Sequence, residues 1–420
     1  MPRRHLLILL LLAGLIWAYL PAVAQVAPPA EAPVAAPVEF NGVQAKLHVD
    51  VLAGEIGSRP AGSESQARAA QYVQGQLSSF GYQAELQSFP ITFYDDRGST
   101  LAVAGALGRQ MSANTLQYSP PGAVEGELVD VGLARAGDFS PAAVQGKIAL
   151  IERGEIRFSE KAENVAQAGA LGAVIYNHGP DNFNGSLGSG GQIPAVSLAR
   201  SDGESLLAQT RRGPVTVRIT VDASLDQRTA ANVVATKPGG PQTVVIGGHF
   251  DSVAAGPGAN DNGSGTAVML ELARVLASRP SPFTIKFVAF DAEEIGLLGS
   301  AHLVGQLSED ELRTTRAMIN LDMVGVGDEV RLGGSDEVVS LAFPIAAQLG
   351  EPARALGGGL NGASDHASFM RAGIASLFVY RAEDPNYHSP NDRAEFVDPA
   401  SLDFAGRLVL GVLDSLGGQR

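Results

Sequence analysis

Four apolar runs constrain what this chain can fold into: Thr243 to Gly247, Thr284 to Phe290, Ala317 to Met323 and Ala375 to Tyr380. Each is apolar at consecutive rather than alternate positions, so the strand it forms must be covered on both faces. The pattern turns helical near Ser264 to Ala277, Leu297 to Leu307, Val338 to Leu349 and Ser401 to Leu416, and Asn232 to Thr236 reads as one more strand. Strands that alternate with helices and hide both faces make an α/β sandwich, which gathers ligands beyond the C-terminal ends of its strands.

The rest of the chain is organised around that half. Arg3, Arg4 and His5 precede the apolar run Leu6 to Leu20, and Ala22-Val23-Ala24 precedes Gln25. This is the pattern of a cleaved export signal over residues 1–24. A membrane span would need about 20 apolar residues, and Pro21 interrupts this run, so no stable anchor is expected and the mature chain is placed in a periplasm or outside the cell. Residues 25–40 are an Ala/Pro-rich linker with nothing to bury. A first part of the main domain is expected at 41–94, with helices to Gly81 and a strand at Tyr82 to Phe89. Short β runs among Gly and Asn breakers then mark a mostly-β insert at 95–224, and the main domain resumes over 225–420.

Composition narrows the chemistry. The formal charge of −14 gives no basic field for a phosphate backbone, so nucleic-acid binding is not expected. Cysteine is absent, so a transition-metal site must be built from His, Asp and Glu. Such residues sit where the fold puts ligands. His249 and Asp251 follow one strand, Asp261 precedes the next helix, Glu293 and Glu294 follow the strand ending at Phe290, Asp322 closes another, and His388 lies in the loop after Tyr380. If Asp261 bridges two ions, His249 and Asp322 complete one and Glu294 and His388 the other. Glu293 is then free to take a proton, and Asp251 is expected to accept a hydrogen bond from a liganding imidazole. A Glu-Glu pair or a lone Asp-x-Gly-Ser-Gly would by itself be solvated surface or a helix cap. Five separate elements supplying the right residue types to one sheet edge is a different matter.

The segments His249-Phe250-Asp251-Ser252, Asn260-Asp261-Asn262-Gly263-Ser264-Gly265, Ala292-Glu293-Glu294-Ile295-Gly296, Asn320-Leu321-Asp322-Met323-Val324-Gly325, Ser364-Asp365-His366 and Tyr387-His388-Ser389-Pro390-Asn391-Asp392 resemble, in order, the motifs of the co-catalytic zinc exopeptidases of the aminopeptidase Y and bacterial leucine aminopeptidase type. The insert is similar to a protease-associated domain, through Gly146 to Gly154 and Gly169 to Ile175. The resemblance implies a three-layer sandwich with a mixed, largely parallel sheet, and two zinc ions per chain held by His249, Asp261, Glu294, Asp322 and His388. It further implies Glu293 as general base and Tyr387 as a donor to the transition-state oxyanion. Asp365 and His366 would stand behind the ligands, with His366 either packed there or touching substrate. The expected activity is removal of N-terminal residues from peptide or protein substrates. A carboxypeptidase or dipeptidase on the same scaffold, a single-zinc glutaminyl cyclase and a non-enzymatic binding relative are the alternatives. The motifs specify neither the preferred terminal residue, nor the role of the insert, nor an oligomeric state.

Overall fold

A computed structural model describes residues 38–104, 109–188, 190–357 and 364–418. The expected signal and nearly all of the linker lie outside them. Among the described residues fourteen strands form one continuous sheet. In chain order these are β1 (Ala84–Val103), β2 (Arg109–Met111), β3 (Asn114–Thr115), β4 (Gly122–Asp130), β5 (Ile148–Glu152), β6 (Gly172–Tyr176), β7 (Ala195–Leu198), β8 (Thr216–Lys237), β9 (Thr243–His249), β10 (Thr284–Phe290), β11 (Thr315–Leu321), β12 (Glu329–Gly334), β13 (Arg354–Ala355) and β14 (Ser376–Ala382).

The main-domain part of the sheet runs β13-β12-β14-β11-β9-β10-β8. Its centre, β14-β11-β9-β10, is parallel, while β12 and β8 flank it antiparallel. The unbroken apolar runs become intelligible here, because successive side chains point to opposite faces. Val244 and Ile246 join one core with Val49, Val73, Leu272 and Val409 from four helices. Val245 joins the other with Leu303 and Phe369, from the helices Leu298–Gly305 and His366–Arg371. Three layers result. The helix Glu64–Ser79 begins where Ser63 accepts from the Gln66 amide, and the helix Gly42–Val49 where Asn41 accepts from Val43 and Gln44.

The boundaries expected at 94/95 and 224/225 fall inside strands. β1 and β8 pair from Ala84↔Ala235 to Val103↔Val217, with one register shift between Asp96 and Gly98. This antiparallel ribbon belongs to the main sheet at one end and to the insert at the other, where β8 pairs with β4. Inside the insert β4, β5, β6 and β7 are mutually parallel. Ile148 and Leu150 face one small core with Leu206 of the helix Arg200–Thr210, and Ala149 and Ile151 face another with Ala162 and Val165 of the helix Phe158–Gln167. Helices thus cover both faces of a parallel sheet. Strands of four or five residues separated by Gly and Asn did not reveal that arrangement in the sequence.

Candidate metal and catalytic site

The site is set by register. Pairing of β9 with β10 places Phe290 opposite His249, and pairing with β11 places Asn320 opposite Gly247. Three neighbouring strands therefore end at nearly one level, and the residues that follow them, Asp251, Glu293, Glu294 and Asp322, emerge side by side. Asp261 arrives from the turn Ala259–Ser264 in an extended conformation, φ −108° and ψ 92°, ahead of the helix Gly265–Leu276. That helix abuts the end of β11: a Cβ on Gly265 would lie 2.0 Å from the Leu321 carbonyl oxygen, and one on Gly248 2.4 Å from the same atom. Glycine is required at both by this close approach.

The Asp261 carboxylate divides its oxygens between two histidines. Oδ1 lies 3.2 Å from His249 Nε2, and Oδ2 lies 3.1 Å from His388 Nε2. On the first side Asp322 Oδ1 is 3.4 Å and Glu293 Oε2 3.9 Å from His249 Nε2; on the second, Glu294 Oε2 is 3.0 Å from His388 Nε2. Tetrahedral bonds of about 2.0 Å hold neighbouring ligand atoms roughly 3.3 Å apart, which is the spacing of these pairs apart from Glu293. His249 Nε2 and Asp322 Oδ1 are buried, and neither makes a hydrogen bond among the described residues. The donor set suits zinc in chemistry and spacing. His249, Asp261 and Glu294 offer atoms close enough to share an ion, as do His249, Glu293 and Asp322.

Charges in this cluster are far from their ordinary behaviour. Burial pushes the Glu293 carboxyl well up, with Asp322, Asp365 and Glu294 adding to the rise against His249. Burial also pushes Glu294 up to about 7, with Asp261 adding to it. For Asp261 burial works upward too, but the facing imidazoles of His249 and His388 outweigh it and hold the carboxyl well below the usual range. Burial would lower His388, yet Asp261 and Glu294 raise it to about 10, and His249 is likewise raised by its carboxylates.

Asp251 makes supporting contacts of two kinds. Its carboxylate accepts the amides of Glu293 at 3.1 Å and Glu294 at 3.3 Å, so it fixes the backbone that carries both glutamates. His249 Nδ1 lies 3.2 Å from the Asp251 main-chain oxygen and 3.4 Å from its carboxylate. Asp365 is fully buried, its carboxyl pushed up to about 7 chiefly by burial, and His366 stacks on Phe378 at 4.4 Å. Tyr387 is half exposed and stacks on His388 at 3.8 Å.

Several residues were not singled out from the sequence. Ser364 donates to Asp322 Oδ2 at 2.6 Å and accepts from Asn320 Nδ2 at 2.7 Å. Asp392 accepts the amides of Asn260 and Asp261, and Arg59 lies beneath the loop that leaves β9. Ser364 and Asp392 belong to motifs already quoted, whereas Arg59 lies in a stretch that reads as a turn.

The carboxylates open into a cavity of about 560 Å³. Leu297, Met323, Phe378 and Tyr380 form its apolar wall, and Tyr387 stands in its lining. Asp261, Glu293, Glu294, Asp322, Glu383 and Asp384 also line it, with neither Lys nor Arg among its lining residues. Glu383 and Asp384 stand outside the expected ligand set, and carboxylates there favour a cationic substrate group over an anionic one.

Comparison with known proteins agrees with this geometry. The model of Peptidase family M28 matches residues 232–413, and that of the PA domain matches residues 124–206. Aminopeptidase YwaD of Bacillus subtilis is 35% identical over 397 residues, spanning 88% of this chain and 84% of its own. The aminopeptidase from Aneurinibacillus sp. strain AM-1 superposes with a TM-score of 0.82 at 34% identity, covering 90% of this chain and 93% of that one. A zinc aminopeptidase from Bacillus subtilis, BSAP, superposes with a TM-score of 0.72 at 33% identity, covering 90% and 95%.

Proposed function

Because the chain belongs to peptidase family M28, with an inserted PA domain, we propose that it is an exported zinc-dependent aminopeptidase that hydrolyses the N-terminal residue from peptides and holds two ions. The observation that carries the two-ion reading is the division of the Asp261 oxygens between His249 and His388. His249 and Asp322 would hold one ion with Asp261, and Glu294 and His388 the other. Zinc bound there supplies positive charge that polarises a substrate carbonyl and acidifies a water.

The chain's own residues do the rest. Glu293, tied at its amide by Asp251 and left out of the ligand set, takes a proton from the attacking water and passes it to the departing amine. Burial and neighbouring carboxylates raise its proton affinity well above that of an ordinary carboxylate. Tyr387, half exposed in the cavity lining, would donate to oxyanion charge. The acidic lining with no lysine or arginine favours an α-ammonium group over an α-carboxylate, which supports cleavage from the N-terminus. Residues 1–24 would direct export. No described helix is long and apolar enough to cross a membrane.

The test is an assay of the purified chain on aminoacyl chromogenic substrates and on N-blocked peptides, with and without a chelator. Release from free N-termini, loss on chelation, recovery with zinc and two zinc ions per chain are expected. Chelator-insensitive turnover would sink the metal reading. Shortening of N-blocked peptides from the C-terminus would make the enzyme a carboxypeptidase, and cyclisation of an N-terminal glutamine with one ion bound would make it a cyclase.

A further inference from the structure

The loop from Phe250 to Asp261 has a backbone problem that helices and strands do not have. It is irregular and in large part buried, so its carbonyls and amides need partners from elsewhere. Glu294 accepts the Val253 amide at 3.1 Å and Ser58 Oγ donates to the Val253 carbonyl at 3.0 Å, and two further charged side chains, one for each polarity, hold the two ends of the loop. Arg59, fully buried, donates from Nε to the Phe250 carbonyl at 2.7 Å and from Nη2 to that of Gly258 at 2.9 Å. Its Nη1 donates to the carbonyls of Pro257, Leu52 and Gly57. The Arg59 amide donates to Ser252 Oγ at 2.9 Å, and the Ser252 amide returns to the Arg59 carbonyl at 3.2 Å. Asp392, also buried, accepts the Asn260 amide on Oδ1 at 2.7 Å and the Asp261 amide on Oδ2 at 3.1 Å. The Asp392 carbonyl accepts from Ala259.

Neither contact is a surface ion pair. Arg59 gives its fork to main-chain oxygens, and its charge acts at longer range on Asp251, Asp392, Glu294 and Asp261. The two clamping residues come from opposite ends of the chain, yet they hold adjacent halves of one loop. Asp392 also stands four residues after His388, so the clamp joins the loop of Asp261 to the loop of His388. The Asn260 side chain repeats this link by donating to Asp384 at 2.9 Å.

We propose that Arg59 and Asp392 are positioning residues that act as one clamp on the Phe250–Asp261 backbone. By holding carbonyls and amides separately, they fix Asp261 and His388 as a matched pair for the ion those residues share with Glu294. The proposal rests on the two-ion reading above. A guanidinium is needed because its planar fork reaches several carbonyls at once, whereas an ammonium is a point donor.

The test is zinc binding by the full chain, titrated against a chelating dye well below the thermal midpoint, for Arg59→Lys, Asp392→Asn and the double variant. Lys161→Met removes an equally buried cation from the insert and serves as the control. Wild type should bind two ions. Each single variant should weaken the ion that Asp261 would share with His388 and Glu294 by about 10- to 100-fold, as loss of contacts that orient ligands does, and weaken the other less, because His249 and Asp322 still hold it. The double variant should weaken the first ion no more than the worse single one, because either loss opens the same loop. Lys161→Met should shift the thermal midpoint alone. If Arg59→Lys does not fold, Asp392→Asn decides the matter. Variants that lower the midpoint yet bind both ions like wild type overturn the clamp alone, as do strictly additive losses in the double variant. A wild-type chain that binds fewer than two ions overturns the two-ion reading and the clamp with it.

Discussion

Among the described residues, the peptidase part and the insert each bury one long cation completely, Arg59 and Lys161, and the two are used differently. Lys161 in the insert donates to the carbonyls of Leu133 at 2.6 Å and Glu152 at 2.9 Å, closing the strand-end region beside β5. Arg59 donates to carbonyls as well, but those of the loop that leads from His249 to Asp261 rather than of one that merely ends a strand. Both modules have parallel strands at their centre covered by helices, and in both the strand ends are polar. In the insert that polarity is consumed internally. In the peptidase part it is gathered into a cluster whose atoms remain available to a third party. Burial lowers the proton affinity of both cations, Arg59 to about 10, and in each case nearby carboxylates work against that fall. Function at a sheet edge thus depends less on which residues are buried than on what their partners are left free to do.

The largest effect that would sharpen this contrast is at Glu293. Glu293→Ala should lower kcat by about 10²- to 10⁴-fold while metal analysis still finds both zinc ions. Loss of zinc in that variant would exchange the roles of Glu293 and Glu294. No substitution in the insert should approach that effect.

Acidity should separate the two modules next. In the metal-free chain Glu294 and Asp365 are raised from ordinary carboxyl values to about 7, and His388 from 6.5 to about 10. Each binds its proton more tightly when folded. The stability they contribute is therefore full below the unfolded values and lost as pH rises through the folded ones. Asp261 has the opposite sign and acts only in strong acid. The thermal midpoint of chelator-treated protein should fall from about pH 5 to about pH 9, and zinc, which needs deprotonated ligands, should reverse the slope. A metal-free midpoint that climbs over this range would contradict the assignment of these groups.

A matched pair of glycines comes third. Gly265→Ala would set a Cβ 2.0 Å from the Leu321 carbonyl oxygen, and Gly203→Ala would set one 2.1 Å from Tyr176 Cβ in the insert. Overpacking of this kind costs about 1 to 3 kcal/mol, measured by chemical denaturation. Only Gly265→Ala, which presses on the strand that carries Asp322, should also reduce turnover. The smallest effect belongs to Lys161→Met, expected to cost roughly 1 to 2 kcal/mol by leaving two carbonyls without their donor and to leave kcat unchanged.

The sequence made some of this legible and not the rest, for identifiable reasons. The strands β9, β10, β11 and β14 announce themselves because burial on both faces forces apolar runs, and the carboxylates after them stand out against those runs. β13 is a two-residue edge strand and β12 pairs with it at only two positions, and neither sequence carries such a run. β1 and β8 were read as short because their middle stretches pair with each other and face solvent, so hydrophobicity gives no sign of their length. The approach of Asp251 to an imidazole is local and was legible, His249 Nδ1 lying 3.4 Å from its carboxylate, whereas its hold on the Glu293 amide, 42 residues away along the chain, leaves no local trace. Arg59 was hidden for the same reason: its stretch Ser58-Arg59-Pro60-Ala61-Gly62-Ser63 has turn composition, and its partners lie 191 and 199 residues onward.

The β1/β8 ribbon has a thermodynamic consequence for the architecture as a whole. A long insertion ordinarily asks the host to hold two distant chain ends together, an entropic demand that grows with the logarithm of the loop. Here the outgoing and returning segments are hydrogen-bonded from Ala84↔Ala235 outward, so the host's own pairing has already joined those ends before the insert begins. The insert can then vary in size or sequence with little added closure entropy for the sheet that carries the carboxylates, which makes the ribbon a socket for a replaceable module.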